Sequence, residues 1–193
     1  MEEHQRVTYD ILKLLADAGL RLDIDKCEFD TTRVKYLGLI MDTHEGISMD
    51  PEKVAAIRDW EALTTVRGVR GFIGFANYYR DFIQDFSEIT MLLTALTKKD
   101  TDFNWTVECD NAFKELKERF LSGPALANWN PDAETRIECD ASGFTISGTY
   151  SQRTSPDEPW RPVAFYSRKM TPAETNYSIY DKELLAIIIA TDR

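Results

Sequence analysis

The sequence predicts an α+β fold, mostly helical at first and then a sheet with a helix. Three observations carry that prediction. Apolar residues recur at helical spacing in successive segments before Pro131, the pattern after Pro131 changes to strand-like segments, and from Ser178 to Ala190 it returns to helical spacing. At 193 residues, 43% hydrophobic and 29% charged, the chain is long enough for one large domain or two small ones and can bury a real core.

Taken in order, Val7, Ile11, Leu14 and Leu15 make a helix of Glu2 to about Ala18, and Gly19 supplies its stop. Leu22 to Ile24 and Val34 to Ile40 read as strands. The second passes through a turn at His44-Glu45-Gly46 into Ile47 and Met49, a β-hairpin. Asp50 is a good N-cap and Pro51 loses no needed donor at a first helical position, so a helix follows with Val54, Ile57 and Trp60 on one face. Thr64 or Thr65 caps the next helix, in which Val66, Val69, Phe72, Ile73 and Ala76 share a stripe. After Tyr78-Tyr79-Arg80 and Phe82, a short helical pattern runs through Ile89, Leu92, Leu93 and Leu96, and Lys98 to Thr101 is a polar connector.

Thr106 opens a helix with Phe113, Leu116 and Phe120 inward, closed by Gly123-Pro124. Thr135 to Cys139, Thr145 to Ser151 and Pro162 to Tyr166 read as strands, with Arg153 to Pro159 a polar loop between the last two. In the final helix Leu184, Ile187 and Ile188 are expected to be buried.

Charge and cysteine usage exclude several function classes. A net charge of −10 and a pI near 4.7 argue against tight autonomous nucleic-acid binding, because the chain as a whole repels phosphates. Cys27, Cys109 and Cys139 are far apart and odd in number, with no CxxC or Cys/His spacing, so neither a zinc site nor a disulfide framework is expected. A reducing intracellular compartment, cytoplasmic or nuclear, fits best. The amino terminus is acidic and amphipathic, unlike a secretory signal, and the apolar run Leu184 to Ala190 is too short to span a bilayer; no membrane partner is expected.

A series of motifs, in order along the chain, resembles the gypsy-class (LTR retrotransposon) reverse transcriptase. Lys26 to Phe29 (KCEF) and Val34 to Ile40 (VKYLGLI) resemble its palm-to-thumb hairpin, where family members grip the primer end. Asp50 to Trp60 and Arg70 to Ile89 resemble the thumb, and Phe103 to Leu126 the segment leading to the nuclease. Glu138 to Gly148 (ECDASGFTISG) and Phe165 to Ile188 resemble the first strands, third strand and first helix of ribonuclease H. The resemblance implies a palm-end hairpin and thumb-like region over 1–99, a connecting helix region over 100–130 and a partial ribonuclease H-like domain, a truncated mixed sheet with a helix, over 131–193.

The resemblance also implies a chemistry. Ribonuclease H cuts the RNA of an RNA–DNA hybrid with two magnesium ions (Mg2+) held by carboxylates, and magnesium prefers hard oxygen ligands. Asp140 and Glu183 stand in two of the family's metal-ligating, catalytic positions. A further family acid belongs to a TDH-like segment, and Asp192, on the same helix as Glu183, does not replace it. No YxDD motif occurs, so polymerisation by this chain alone is not expected. Nucleic-acid contact is implied for Leu37, Gly38, Arg70, Tyr79 and Arg80, with RNA–DNA hybrid or template–primer as partner in the full enzyme. His4 and His44 have no implied role, and Cys139 is expected to be a small core residue on the strand face opposite Asp140.

Departures from the family pattern, Glu61 after Trp60 and Thr149-Tyr150 in the second nuclease strand, are compatible with folding but weigh against nucleic-acid contact, while the incomplete carboxylate set points away from activity of the isolated chain. The alternative is a domesticated retroelement-derived host protein, a binding module without catalysis, which engages a protein partner or a second copy through an open sheet edge.

Overall fold

Helices and two three-stranded antiparallel sheets make up the structure, a computed structural model that describes residues 2–192. Helix α1 (Glu2–Asp17) forms where the apolar spacing predicts it, yet none of its residues is buried. The expected strand at Leu22 to Ile24 is instead an exposed stretch ending in a 3-10 turn, Ile24–Lys26, because no neighbouring strand pairs with it.

The first sheet is a meander of β1 (Arg33–Tyr36), β2 (Leu39–Asp42) and β3 (Gly46–Met49). Val34 to Ile40 is thus not one strand. Leu37 and Gly38 take φ of +50° and +82°, and two consecutive positive φ values reverse the chain so that Tyr36 pairs with Leu39. Asp42 closes the second turn by accepting from the backbone N–H groups of His44 and Glu45, which lowers its carboxyl below the usual range.

Helix α2 (Pro51–Arg58) starts at Asp50, whose carboxylate accepts from the Glu52 N–H and lies 2.8 Å from the Lys35 ammonium of β1. Thr65, of the two candidate threonines, caps α3 (Val66–Tyr78) by accepting from the Gly68 N–H. After a 3-10 turn at Arg80–Phe82 come the short helices α4 (Phe86–Ile89) and α5 (Met91–Ala95), then α6 (Val107–Leu121), capped by Thr106. Ile57, Val69, Phe72, Leu93, Phe113, Leu116 and Phe120 close into one core, with the Phe72 and Phe113 rings edge-on at 4.7 Å.

The second sheet has the order β4 (Glu134–Ala141), β5 (Thr145–Arg153), β6 (Arg161–Lys169). One face packs on the helical region: Phe165 joins the large core, and the buried Ser167 hydroxyl accepts from the Ser87 N–H at 2.8 Å. The other face carries α7 (Ile179–Thr191), seated through Ala186 and Ala190 against Cys139, Ala141 and Ile146. The expectation for Leu184, Ile187 and Ile188 is corrected here, since they are 56%, 51% and 53% exposed. This helix is apolar around most of its circumference, so spacing selects no face; the small alanines permit the closest approach to the sheet.

The two sheets meet through the segment after α6. Ile47 and Leu126 exchange backbone bonds of 2.7 and 2.8 Å, and the Ala127 N–H donates to the Pro162 carbonyl at 2.7 Å. Among the described residues no helix is long and apolar enough to cross a membrane.

Candidate functional site

Asp140 is the penultimate residue of β4, opposite Ser147 of β5. Its strand neighbours Cys139 and Ala141 pack toward α7, so strand alternation turns Asp140 to the other face, where it is exposed. Cys139 lies where the sequence places it, and burial pushes its thiol up. The turn beyond Asp140 is tied locally: the Thr145 N–H donates to the Ser142 hydroxyl at 3.1 Å, and the two hydroxyls lie 2.7 Å apart.

Glu183 comes from α7, whose start is fixed by Ser178 accepting from the Asp181 N–H. Two contacts set the helix direction. Lys182 donates to the Gly143 carbonyl in the β4–β5 turn at 3.4 Å, while the Tyr150 hydroxyl donates to the Ala190 carbonyl at 2.7 Å. The first turns of α7 therefore lie at the Asp140 end of the sheet, and Glu183 is exposed there. Glu88 of α4, which no motif singles out, approaches the same end and accepts from the Thr145 hydroxyl at 3.5 Å. Its signal is tertiary only. Among the described residues no three His, Cys, Asp or Glu side chains are gathered as metal ligands.

The expected nucleic-acid contacts do not form one patch. Leu37 is 69% exposed at the tip of the β1–β2 turn, and Gly38 follows it. Both turn carbonyls are held from below, Leu37 by the Tyr78 hydroxyl at 2.6 Å and Gly38 by the Tyr79 hydroxyl at 3.1 Å. Tyr79 is corrected from contact to core: it is 3% exposed, edge-on to Phe120 and Tyr78, and its burial raises the phenol pKa. Tyr78, 53% exposed, is the turn-supporting residue that helical spacing alone did not separate from the core. Arg80 is half-buried. Its guanidinium donates to the Ser167 carbonyl, lies within 3.4 Å of Ser87 Oγ and stacks over Phe86, so it joins the helices to β6. Arg70 is exposed and donates to the Thr97 carbonyl at 2.7 Å.

The strongest electrostatic feature near the sheet is the ion pair of Arg168 and Glu174. Two guanidinium bonds and the Thr171 N–H hold the Glu174 carboxyl down at about 2.

Comparisons with known proteins agree with this architecture. Residues 105–193 match the RNase H-like domain found in reverse transcriptase. The Tf2-3 and Tf2-4 transposon polyproteins of Schizosaccharomyces pombe are each 34% identical over 186 residues, 96% of this chain and 14% of the polyprotein. The chain thus spans a small part of these curated relatives. Among solved structures, a foamy viral protease-reverse transcriptase in complex with RNA/DNA hybrid aligns with a TM-score of 0.79 and 22% identity, over 99% of this chain and 26% of that one. A second, in complex with dsDNA, aligns with a TM-score of 0.76 and 22% identity, over 98% and 39%. At that identity the likeness is one of fold.

Proposed function

We propose that the chain is the thumb and nuclease segment of a gypsy-class retroelement polyprotein, a reading supported by the match of residues 105–193 to the RNase H-like domain found in reverse transcriptase. In this reading it handles template–primer through the helical region and contributes Asp140 and Glu183 to hybrid cleavage. The observation that carries it is the placement of both carboxylates, exposed, at one end of the second sheet.

Magnesium fits these donors in kind, since both offer hard carboxylate oxygens. It fits them incompletely in number, because a pair of exposed carboxylates holds one ion weakly and mostly through water. Bound there, the ion would supply positive charge to phosphate oxygens. The chain's own residues position the pair: Ser142 and Thr145 fix the turn beyond Asp140, and Lys182 with Ser178 fixes the start of α7. In this reading hybrid is the ligand of the full enzyme, and the 193-residue chain by itself does not cleave it. Leu37, presented on a turn that Tyr78 and Tyr79 hold, touches the nucleic acid together with Arg70. The neighbouring protease-reverse transcriptase, described in complex with RNA/DNA hybrid, supports a hybrid as the ligand.

Titration with magnesium followed by amide NMR tests the site. Saturable shifts are expected around Asp140 and Glu183 in the millimolar range, lost in Asp140→Asn and in Glu183→Gln. Shifts absent from both residues, or unchanged in Asp140→Asn, overturn the metal role. Magnesium-dependent cleavage of a hybrid by the isolated chain overturns the incomplete-site reading.

A further inference from the structure

Asp50 is 2% exposed and, among the described residues, the one charged side chain that is buried. Its place before α2 does not by itself ask for a charge. Helices α3, α6 and α7 are capped by the neutral hydroxyls of Thr65, Thr106 and Ser178. Burying a carboxylate is costly unless a cation and hydrogen bonds answer it. Here the cation is Lys35, two residues before Leu37. Its ammonium stands 2.8 Å from Asp50 Oδ2 and 2.8 Å from Glu52 Oε2, and it holds the Asp50 carboxyl below its usual range. Asp50 Oδ1 accepts from the Glu52 N–H at 3.1 Å, so one carboxylate joins β1 to the first turn of α2. Glu52 shares the lysine but is 80% exposed, which leaves Asp50 as the fixed end of the pair.

The backbone of Asp50 makes a second hold on the same turn. Its N–H donates to the Gly38 carbonyl at 3.0 Å, the carbonyl that also accepts from Tyr79. Lys35 lies on the strand that enters the β1–β2 turn, and Gly38 is the last residue before β2. Asp50 therefore grips the turn on both legs. Such a hold has work to do, because Leu37 takes a φ of +50°. A residue with a β-carbon is disfavoured in that left-handed region and persists there where its surroundings over-determine it. The outcome is a leucine fixed in backbone yet exposed in side chain, the arrangement of a contact residue rather than of a core residue.

We infer that Asp50 is a positioning residue: it fastens the β1–β2 turn to the start of α2 so that Leu37 is presented to nucleic acid in one place, a role that rests on the reading of Leu37 as a contact. Buried itself, Asp50 touches no nucleic acid. The sign of its effect separates this role from plain electrostatics. Removing a negative charge beside a polyanion strengthens binding on charge alone, whereas loosening the contact weakens it.

Asp50→Asn in the full 193-residue chain tests the role, because asparagine caps a helix as well as aspartate does and the backbone N–H stays. With the fold checked by circular dichroism, amide exchange should quicken about 10-fold or more over residues 35–39 and stay as it was over residues 54–58 of α2. Binding to a labelled RNA–DNA hybrid, read by fluorescence anisotropy, should weaken about 3–10-fold. Lys35→Met should quicken exchange in the turn to the same extent, and the double variant no further, since both changes break one link. Unchanged exchange in the turn overturns the inference, as does hybrid binding that is unchanged or tighter once the turn has loosened. Should Asp50→Asn fail to fold, exchange in Lys35→Met decides. A wild type that binds no hybrid overturns the contact reading of Leu37, and exchange in the two variants still decides whether Asp50 holds the turn.

Discussion

The Tyr79 hydroxyl donates to the Gly38 carbonyl at 3.1 Å and thereby pins the β1–β2 turn to the end of α3. The approach is close enough that a β-carbon on Gly38 would stand 2.8 Å from that hydroxyl, at a φ of +82°. Turn and helix are fitted to each other, and the carbonyl of the exposed Leu37 beside them is held by Tyr78.

Tyr79→Phe should cost about 1 kcal/mol, the usual net value of such a bond, and Gly38→Ala about 1–2 kcal/mol from steric and left-handed strain together. Urea unfolding followed by circular dichroism measures both. In the Tyr79→Phe background the Gly38→Ala cost should fall, since one of its two sources is gone.

Leu37→Asp should leave stability within about 0.5 kcal/mol, because the site is exposed and aspartate tolerates positive φ. Hybrid binding should fall by about 3–10-fold on adding a negative charge at the contact. Fluorescence anisotropy at fixed salt reads this out; an unchanged affinity removes Leu37 from the contact surface.

Gly46 stands at a φ of +102°, where a β-carbon would lie 2.0 Å from the Leu126 carbonyl oxygen. Gly46→Ala must therefore break the Ile47–Leu126 exchange and should cost about 2 kcal/mol or more. Amide exchange at Ile47 and Leu126 should speed up together.

Ser167→Ala leaves the buried Ser87 N–H without its acceptor, a loss of about 1–3 kcal/mol. Arg80→Ala removes the neighbouring tie between the helices and β6. A double-mutant cycle by thermal unfolding should show the two costs coupled, as both run through one residue.

Acid should weaken the fold through Glu174. Its folded carboxyl is depressed to about 2 from 4.5, so the stabilisation from Arg168 is complete above about 4.5 and is lost as pH falls toward 2. Charge-assisted bonds of this kind contribute about 1.5–3 kcal/mol. Melting temperatures from pH 6 to 2 should decline less steeply in Glu174→Gln than in the wild type.

Much of the local structure was legible because its causes are local. Thr106 and Ser178 each cap a helix because a side-chain oxygen reaches an N–H three residues ahead, a relation contained in the sequence itself. Asp50 before Pro51 is equally local, reaching an N–H two residues ahead, and so is the change from helical to strand-like patterning after Pro131. Asp140 and Glu183 are candidates through motif resemblance alone, since no local pattern marks a carboxylate as a ligand.

The tertiary structure decided what depends on partners distant in the chain. Leu37 and Gly38 read as strand interior until their carbonyls met Tyr78 and Tyr79, which stand at the end of α3, forty-one residues later. Tyr79 and Arg80 carry the chemistry of nucleic-acid contact, but packing turned one into the core and the other toward Ser167. Helix α7 is apolar nearly all round, so only the fit of Ala186 and Ala190 to the sheet selected its buried face. The sequence by itself determined the α+β class and the starts of the capped helices. The direction of α7, which puts its first turns at the β4–β5 turn, came from contacts between segments that no local pattern encodes.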